Sequence, residues 1–138
     1  MITYKIGFDQ IDWDSLLKLY TLTDGVIGLA RKKEHERIQR AFANSYKIVT
    51  AWKGQDIVGA GRMISDGECY GWVHDVAVHP DYRRQNIGRS IMEHLLHDEK
   101  LLTGLTSSFE AVEFYDALGF KKHKTAMAKY PGASPYLE

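Results

Sequence analysis

The feature that most constrains the fold is a change of hydrophobic period near residue 46. Upstream of it, apolar side chains recur at helical spacing, as Ile38 and Phe42 do. From residue 46 the chain is rich in β-branched and aromatic residues, and polar turns at 53–56 and 65–67 divide it. The sequence therefore predicts an antiparallel meander of three strands, at 46–52, 57–64 and 70–78.

The remaining elements follow from the same two patterns and from helix-capping signals. The first predicted helix begins at a cap, Asp12 or Asp14, and ends at a break at 23–25. Three further helices are predicted at 33–43, 88–97 and 107–118. Further strands are predicted at 3–8, 101–106 and 120–129. Ser107 or Ser108 is expected to cap the last helix and Gly119 to end it as a left-handed residue. The order β-α-α-β-β-β-α-β-α-β predicts a mixed sheet with helices packed on it.

Composition narrows the classes of partner. Lys plus Arg and Asp plus Glu balance at 18 each, and the net charge of zero argues against bulk electrostatic binding to nucleic acid or an anionic membrane. The single cysteine cannot form an internal disulfide, and the N-terminus has no apolar signal-peptide core, so we expect a cytoplasmic protein. At 138 residues we expect one domain spanning 1–138.

A basic loop between the third meander strand and the next helix is the strongest candidate for a ligand site. Arg83 and Arg84 lie in it, and the helix starts near Gly88. The free N–H groups and the dipole of a helix start attract anions, and glycine lets a ligand approach the backbone. Asn86 is the non-glycine residue best suited to a left-handed turn, and arginines bind phosphate oxygens. On spacing alone, an ordinary solvated strand-to-helix connection explains the segment equally well.

Two motifs in this order resemble those of the GCN5-related N-acetyltransferase family. Gln85, Gly88 and Ser90 occupy the fixed positions of the acyl-CoA-binding pattern Gln/Arg-x-x-Gly-x-Gly/Ala, with Ser90 in place of the usual Gly or Ala. Downstream, residues 111–120 are similar to the pattern Ala-x-x-Phe-Tyr-x-x-x-Gly-Phe. The element order matches from residue 3 to residue 129, so the resemblance covers nearly the whole chain.

The resemblance implies a fold, a cofactor and a partner. The fold is α/β (α+β), with a mixed, mostly antiparallel twisted sheet flanked by about four helices. The implied activity is transfer of an acetyl group from acetyl-CoA to a primary amine of a small molecule, by direct attack in a ternary complex. The scattered histidines lack metal-ligand spacing, so no metal is predicted, and we expect a monomer or a homodimer. The residues implied in cofactor binding are Val76, Ala77, Val78, Arg83, Arg84, Gln85, Asn86, Ile87, Gly88, Arg89 and Ser90.

Three residues are candidates for proton transfer. In the family that the chain resembles, the tyrosine that corresponds to Tyr115 protonates the departing thiolate. A core aromatic residue on an amphipathic helix would give the same sequence pattern. Asp75 or His74 is the candidate base for the substrate ammonium. Strand alternation predicts that Trp72, His74 and Val76 share one face and that Val73, Asp75 and Ala77 share the other. Asp75 then either faces a cleft or pairs with an arginine such as Arg62.

Several alternatives remain open from sequence. The acceptor is either a small amine or a peptide or protein amine, and the same fold could serve as a non-catalytic acyl-CoA-binding module. Trp13, Tyr20 and Trp72 either line the acceptor pocket or pack in the core. His79, which precedes Pro80, is expected to be part of the loop structure.

Overall fold

The β-rich segments form one sheet at the centre of the computed structural model, which describes residues 1–23 and 34–138. The strands are β1 (Ile2–Ile6), β2 (Lys47–Lys53), β3 (Asp56–Ser65), β4 (Tyr70–Val78) and β5 (Leu102–Leu105). They lie side by side in chain order. The predicted meander is therefore confirmed as β2, β3 and β4.

Strand direction changes once across the sheet. Neighbours from β1 to β4 pair antiparallel, whereas β5 runs parallel to β4 after a helical crossover. The β5 pairing is short, running from Tyr70–Leu102 to Val73–Leu105. The mixed, mostly antiparallel sheet expected from the sequence is confirmed.

Helices cover both faces of this sheet. In the described residues they are α1 (Trp13–Leu22), α2 (His35–Ala43), α3 (Ile87–Leu96) and α4 (Val112–Ala117), with 3-10 turns at Phe8–Gln10, Pro80–Tyr82 and Phe109–Ala111. Of the two predicted caps for α1, Asp12 is the one used, because its carboxylate accepts the Ser15 N–H at 3.2 Å.

The two faces carry separate cores. On one face, here the α1/α2 face, Leu16, Tyr20, Ile38 and Phe42 are buried against the sheet. On the other, the α3 face, Ile91 and Leu95 pack over the strands, and Gly59 and Gly61 of β3 leave room for them. A Cβ on Gly61 would lie 2.9 Å from the Ile91 Cγ2, so this close approach of α3 requires glycine.

Lys47 ties the C-terminal end of α3 to β2. Its Nζ donates to the carbonyls of Leu95 and His97 at 3.1 Å each and pairs with Glu99 at 2.7 Å. These carbonyls have no partner within the helix, and a cation there is favoured by the helix dipole.

The predicted strand at 120–129 is wrong. The chain from Phe120 to Glu138 contains no strand or helix. Residues 121–124 are all basic or histidine, and Met127 is 96% exposed. A segment without alternating apolar residues has no face to bury against a sheet, so the β propensity of its few apolar residues is not enough.

The end of α4 matches the prediction better than its start. The cap expected at Ser107 or Ser108 is wrong, because the 3-10 turn intervenes and neither hydroxyl caps the helix. Gly119 does follow α4 with a φ of 97°, as predicted for a left-handed residue. The predicted break at Asp24 and Gly25 and the predicted start of the second helix at Lys33 lie outside the described residues.

Each helix that the structure describes is too short or too polar to cross a lipid bilayer.

Candidate active site

The strand β4 parts from β5 halfway along its length. Pairing ends at Val73, so residues 74–78 have no strand beside them on that side within the described chain. The His79 N–H donates to the Val58 carbonyl of β3 at 2.7 Å, and backbone groups alternate in direction along an antiparallel strand. The N–H groups of Val76 and Val78 therefore point into the opening. A ligand there can accept main-chain hydrogen bonds from β4.

A β-bulge at Asp75 changes which side chains of β4 face which helices. The register with β3 slips by one residue between Ala60 and Arg62, and Asp75 takes a left-handed conformation with φ 59°. The predicted alternation through this strand is therefore wrong, because Val73 packs in the α3 core and Ala77 in the α1/α2 core. One inserted residue shifts the period of every side chain beyond it.

The bulge places two consecutive polar residues on one face. His74 points away from the face of Val73, and the Asp75 carboxylate bonds to an arginine that packs on α2. Both therefore lie on the α1/α2 face, beside the opening. Val76 turns to the α3 face.

The loop after β4 brings unpaired N–H groups to the start of α3. Asn86 precedes the helix with φ 60°, as predicted, and Arg84 is also left-handed at φ 66°, which was not predicted. Asn86 makes no side-chain capping bond, so the N–H groups of the first turn have no cap. Left-handed turns next to a helix N-terminus form a concave backbone surface that favours anions.

The basic side chains of this loop differ in their surroundings. Arg83 and Arg84 are exposed, whereas the Arg89 guanidinium pairs with Glu93 one turn along α3 at 3.2 Å. His79 serves the loop structure, as expected, because its Nδ1 accepts the Asp81 N–H at 3.1 Å.

The helix α4 lies against the start of α3. A Cβ on Gly88 would have the Phe114 ring at 3.4 Å and Val78 Cγ2 at 3.6 Å. Tyr115 follows Phe114, and its half-buried ring meets those of Phe114 and Phe120 edge to face. Burial raises the pKa of the Tyr115 phenol above its ordinary value, so the hydroxyl keeps its proton at neutral pH. The two motifs of the sequence thus meet at Gly88 and Phe114.

His74 and Asp75 have different electrostatic environments. The Arg62 Nε donates to the Asp75 Oδ2 at 2.7 Å, so of the two predicted alternatives for Asp75 the pairing with an arginine is the one observed. Burial lowers the pKa of His74 below its ordinary value. The positive charge of Arg62 also lowers this pKa, whereas the negative charge of Asp75 partly opposes the shift. His74 is therefore neutral at pH 7 and can accept a proton.

The three aromatic residues considered for an acceptor pocket separate into two groups. Tyr20 is fully buried and Trp13 packs on the α1/α2 core, so both are core residues. Trp72 is 39% exposed on the same face as His74. Its ring lies over Gly104 of β5, where a Cβ would be only 2.2 Å from the Trp72 Cζ3. A larger residue at position 104 would clash with the Trp72 ring. This requirement for glycine becomes visible only from the pairing of β4 with β5.

Residues 1–23 and 34–138 hold no cluster of three or more His, Cys, Asp or Glu side chains suited to a metal ion.

A family model described as an acetyltransferase (GNAT) domain matches residues 44–122. This range includes β2 to β5, the loop before α3, and α4. It therefore contains every residue of the opening in β4 and of the α3 N-terminus.

Similar proteins agree with this match. A GNAT-family acetyltransferase from Streptococcus pneumoniae TIGR4 is 28% identical, with a TM-score of 0.75 over 94% of this chain and 98% of that one. A predicted acetyltransferase from Clostridium acetobutylicum, determined with acetyl-CoA, shares the fold at 15% identity, with a TM-score of 0.71 over 94% and 96% of the two chains. The ribosomal protein bS18-alanine N-acetyltransferase of Escherichia coli K12 is 35% identical over 65 residues, which is 41% of this chain and 43% of that enzyme.

Proposed function

The chain belongs to the GNAT N-acetyltransferase family, whose members are acyltransferases, and on this premise we propose that it transfers an acetyl group from acetyl-CoA to a primary amine of a small molecule. The observation that carries the proposal is the opening of β4 beyond Val73. It lies between the free N–H groups at the start of α3 and the face that bears His74.

The residues around the opening fit acetyl-CoA as co-substrate. The N–H groups of Ile87, Gly88 and Arg89 suit a pyrophosphate, because a helix N-terminus and the left-handed residues before it favour anions. Exposed Arg83 and Arg84 suit further phosphate contacts. Of the other predicted binding residues, Gln85 and Asn86 lie in the loop before α3 and Ser90 lies in its first turn, whereas Val76, Ala77 and Val78 belong to β4. When bound, acetyl-CoA supplies the thioester whose acetyl group is transferred.

His74 is the better supported of the two candidate bases. Its lowered pKa leaves the imidazole neutral at pH 7, and an ammonium substrate must lose a proton before its nitrogen can attack a carbonyl. The Asp75 carboxylate is already engaged by Arg62 at 2.7 Å. We therefore assign proton acceptance from the amine to His74.

The other two roles fall to Val76 and Tyr115. Negative charge develops on the carbonyl oxygen during attack, and the Val76 N–H, which points into the opening, can stabilise it. The thiolate that departs needs a proton, and Tyr115 carries one at neutral pH. Its helix packs on Gly88, which supports a position beside the cofactor.

The acceptor is the finer part of the proposal. The exposed ring of Trp72, beside His74, offers apolar surface against which the carbon skeleton of a small amine can pack. A peptide or protein amine is the second candidate, favoured by the similarity to an enzyme that acts on an alanine of ribosomal protein bS18.

The test is thiol release from acetyl-CoA in the presence of polyamines, arylalkylamines, amino sugars and peptides with a free N-terminus. We expect acceptor-dependent release with at least one small amine. Release with peptides alone would move the acceptor to the second candidate. Binding of acetyl-CoA without release for any acceptor would indicate a non-catalytic module, and no binding would refute the proposal.

A further inference from the structure

The bulge in β4 is held by contacts from two other elements, the helix α1 and the strand β3. Asp75 is a non-glycine residue in the left-handed region, which costs about 1–2 kcal/mol unless its surroundings compensate. Aspartate tolerates this conformation better than most residues. The contacts of its main chain and side chain show what holds it there.

The main-chain contact comes from α1. Tyr20, which is 0% exposed, donates its hydroxyl to the Asp75 carbonyl oxygen at 2.7 Å, across 55 residues of sequence. A buried phenol with a single acceptor has little freedom to bond elsewhere. Burial also raises the pKa of Tyr20, so it remains a donor at any physiological pH.

The side-chain contact comes from β3 and reaches α2. Arg62 bonds to the Asp75 carboxylate through Nε, and both side chains are largely buried, at 12% and 14% exposure. Its Nη1 donates to Ser45 Oγ at 3.2 Å and to the Ala41 carbonyl at 3.4 Å, at the end of α2. The guanidinium also stacks over Phe42, with Cζ 5.3 Å from the ring centre. One planar group thus connects the bulge to the second helix.

The position of the bulge gives these contacts a consequence for the reaction. Asp75 directly precedes Val76, whose N–H points into the opening. Rotation of the Asp75 backbone out of the left-handed region would turn the peptide plane that carries this N–H. The direction of the Val76 N–H therefore depends on Asp75, and Asp75 depends on Tyr20 and Arg62.

We propose that Tyr20 and Arg62 are positioning residues, which hold the bulge so that the Val76 N–H is aimed at the acetyl carbonyl oxygen. This inference rests on the proposed function. It assigns Asp75 a role through its backbone rather than through proton transfer.

The experiment compares Tyr20→Phe with Tyr4→Phe. Both variants lose one hydroxyl, and Tyr4 lies on β1 against His94, away from the bulge.

The main readout is the stretching frequency of the carbonyl of isotope-labelled acetyl-CoA, bound at saturation and measured by difference infrared spectroscopy. Hydrogen bonding polarises a carbonyl and lowers this frequency, so Tyr20→Phe should move it back toward the free value. We expect turnover to fall about tenfold, less than the loss caused by removing an oxyanion donor outright. Affinity for CoA, which lacks the acetyl carbonyl, should not change.

Further variants keep the proposal testable if Tyr20→Phe does not fold. Arg62→Lys retains the charge but cannot bond to Asp75, Ser45 and Ala41 together, and it should shift the frequency in the same direction. Asp75→Asn keeps the left-handed preference and an oxygen for Arg62 but loses the ion pair, so any loss of turnover should be accompanied by a shift of the frequency toward the free value.

Specific outcomes would overturn the inference. One is a wild-type frequency in both Tyr20→Phe and Arg62→Lys, and another is a large loss of turnover in Asp75→Asn at an unchanged frequency. These are distinguishable from failure of the proposed function, in which the unsubstituted protein itself neither binds acetyl-CoA nor releases thiol.

Discussion

The hydroxyl of Tyr115 is the single group on which the proposed chemistry depends most. Tyr115→Phe keeps the ring contacts with Phe114 and Phe120 and removes only the proton donor. Loss of general-acid catalysis should lower the turnover number by roughly 10²-fold, with little change in affinity for acetyl-CoA. The measurement is steady-state kinetics with an accepted amine, together with calorimetric titration of acetyl-CoA.

The controls for Tyr115 separate catalysis from packing. Tyr46→Phe also removes one hydroxyl, which bonds to Glu99, and should leave turnover unchanged. Tyr115→Ala should lower stability as well, because two aromatic contacts are lost. Wild-type turnover in Tyr115→Phe, under conditions in which chemistry limits the rate, would rule out the acid role.

His74 should set the acidic limb of the pH profile. Burial lowers its pKa below the ordinary value of 6.5, so the proton-accepting form persists to lower pH than in a free histidine. With a strongly basic amine that stays an ammonium across the range, kcat/KM should decline only below pH 6.5. His74→Gln should lower kcat/KM and abolish this limb. A limb that survives in His74→Gln would show that another group accepts the proton.

The same pKa shift has a consequence for stability. The unfolded chain takes up a proton on His74 at higher pH than the folded chain does, so this contribution to stability is complete above pH 6.5 and is lost as pH falls through the folded pKa. The thermal midpoint of wild type should therefore fall, relative to that of His74→Gln, as the pH is lowered from neutral to acidic. His97→Gln, on an exposed histidine, is the matched control.

At the scale of elements, the start of α3 should decide cofactor affinity. Space is not the obstacle at Gly88, because a Cβ there would make ordinary contacts with Phe114 and Val78. A carboxylate in the first turn interacts well with the free N–H groups and would compete with a phosphate for them. Gly88→Glu should therefore abolish CoA binding in calorimetry, without a loss of stability attributable to charge.

The neutral variant Gly88→Gln is the control for size. It should weaken CoA binding far less than Gly88→Glu, since it occupies similar space without the charge. Equal affinities for the two variants would mean that the anion does not bind at the α3 N-terminus.

For the whole molecule, cofactor binding should appear as stabilisation. A ligand at 100 times its Kd that binds only the folded state adds about 2.7 kcal/mol, which for a domain of this size raises the thermal midpoint by about 8 °C. Acetyl-CoA should produce this shift in a thermal scan, and Gly88→Glu should not show it. Pantetheine, which has no phosphate, should produce a much smaller shift at the same concentration. Equal shifts from the two ligands would contradict phosphate binding at α3.

The sequence by itself determined the local elements and the two motifs that meet at the site. The meander, a cap of α1 at Asp12 or Asp14 and the left-handed Asn86 depend on neighbours within a few positions. Such features follow from hydrophobic period and turn chemistry, which a single sequence displays. The loop before α3 and the Phe-Tyr helix were recognisable because their residues resemble the two motifs of the family.

Only the tertiary structure decided the features that depend on pairing between distant segments. Alternation within β4 predicted that His74 and Asp75 lie on opposite faces, whereas both lie on the α1/α2 face, because a bulge is defined by the register with β3 and not by β4 alone. The bond from Tyr20 to Asp75 crosses 55 residues and left no local signal. The irregular course of 120–138 likewise reflects the absence of a face to bury, a balance between side-chain burial and chain entropy that β propensity does not measure.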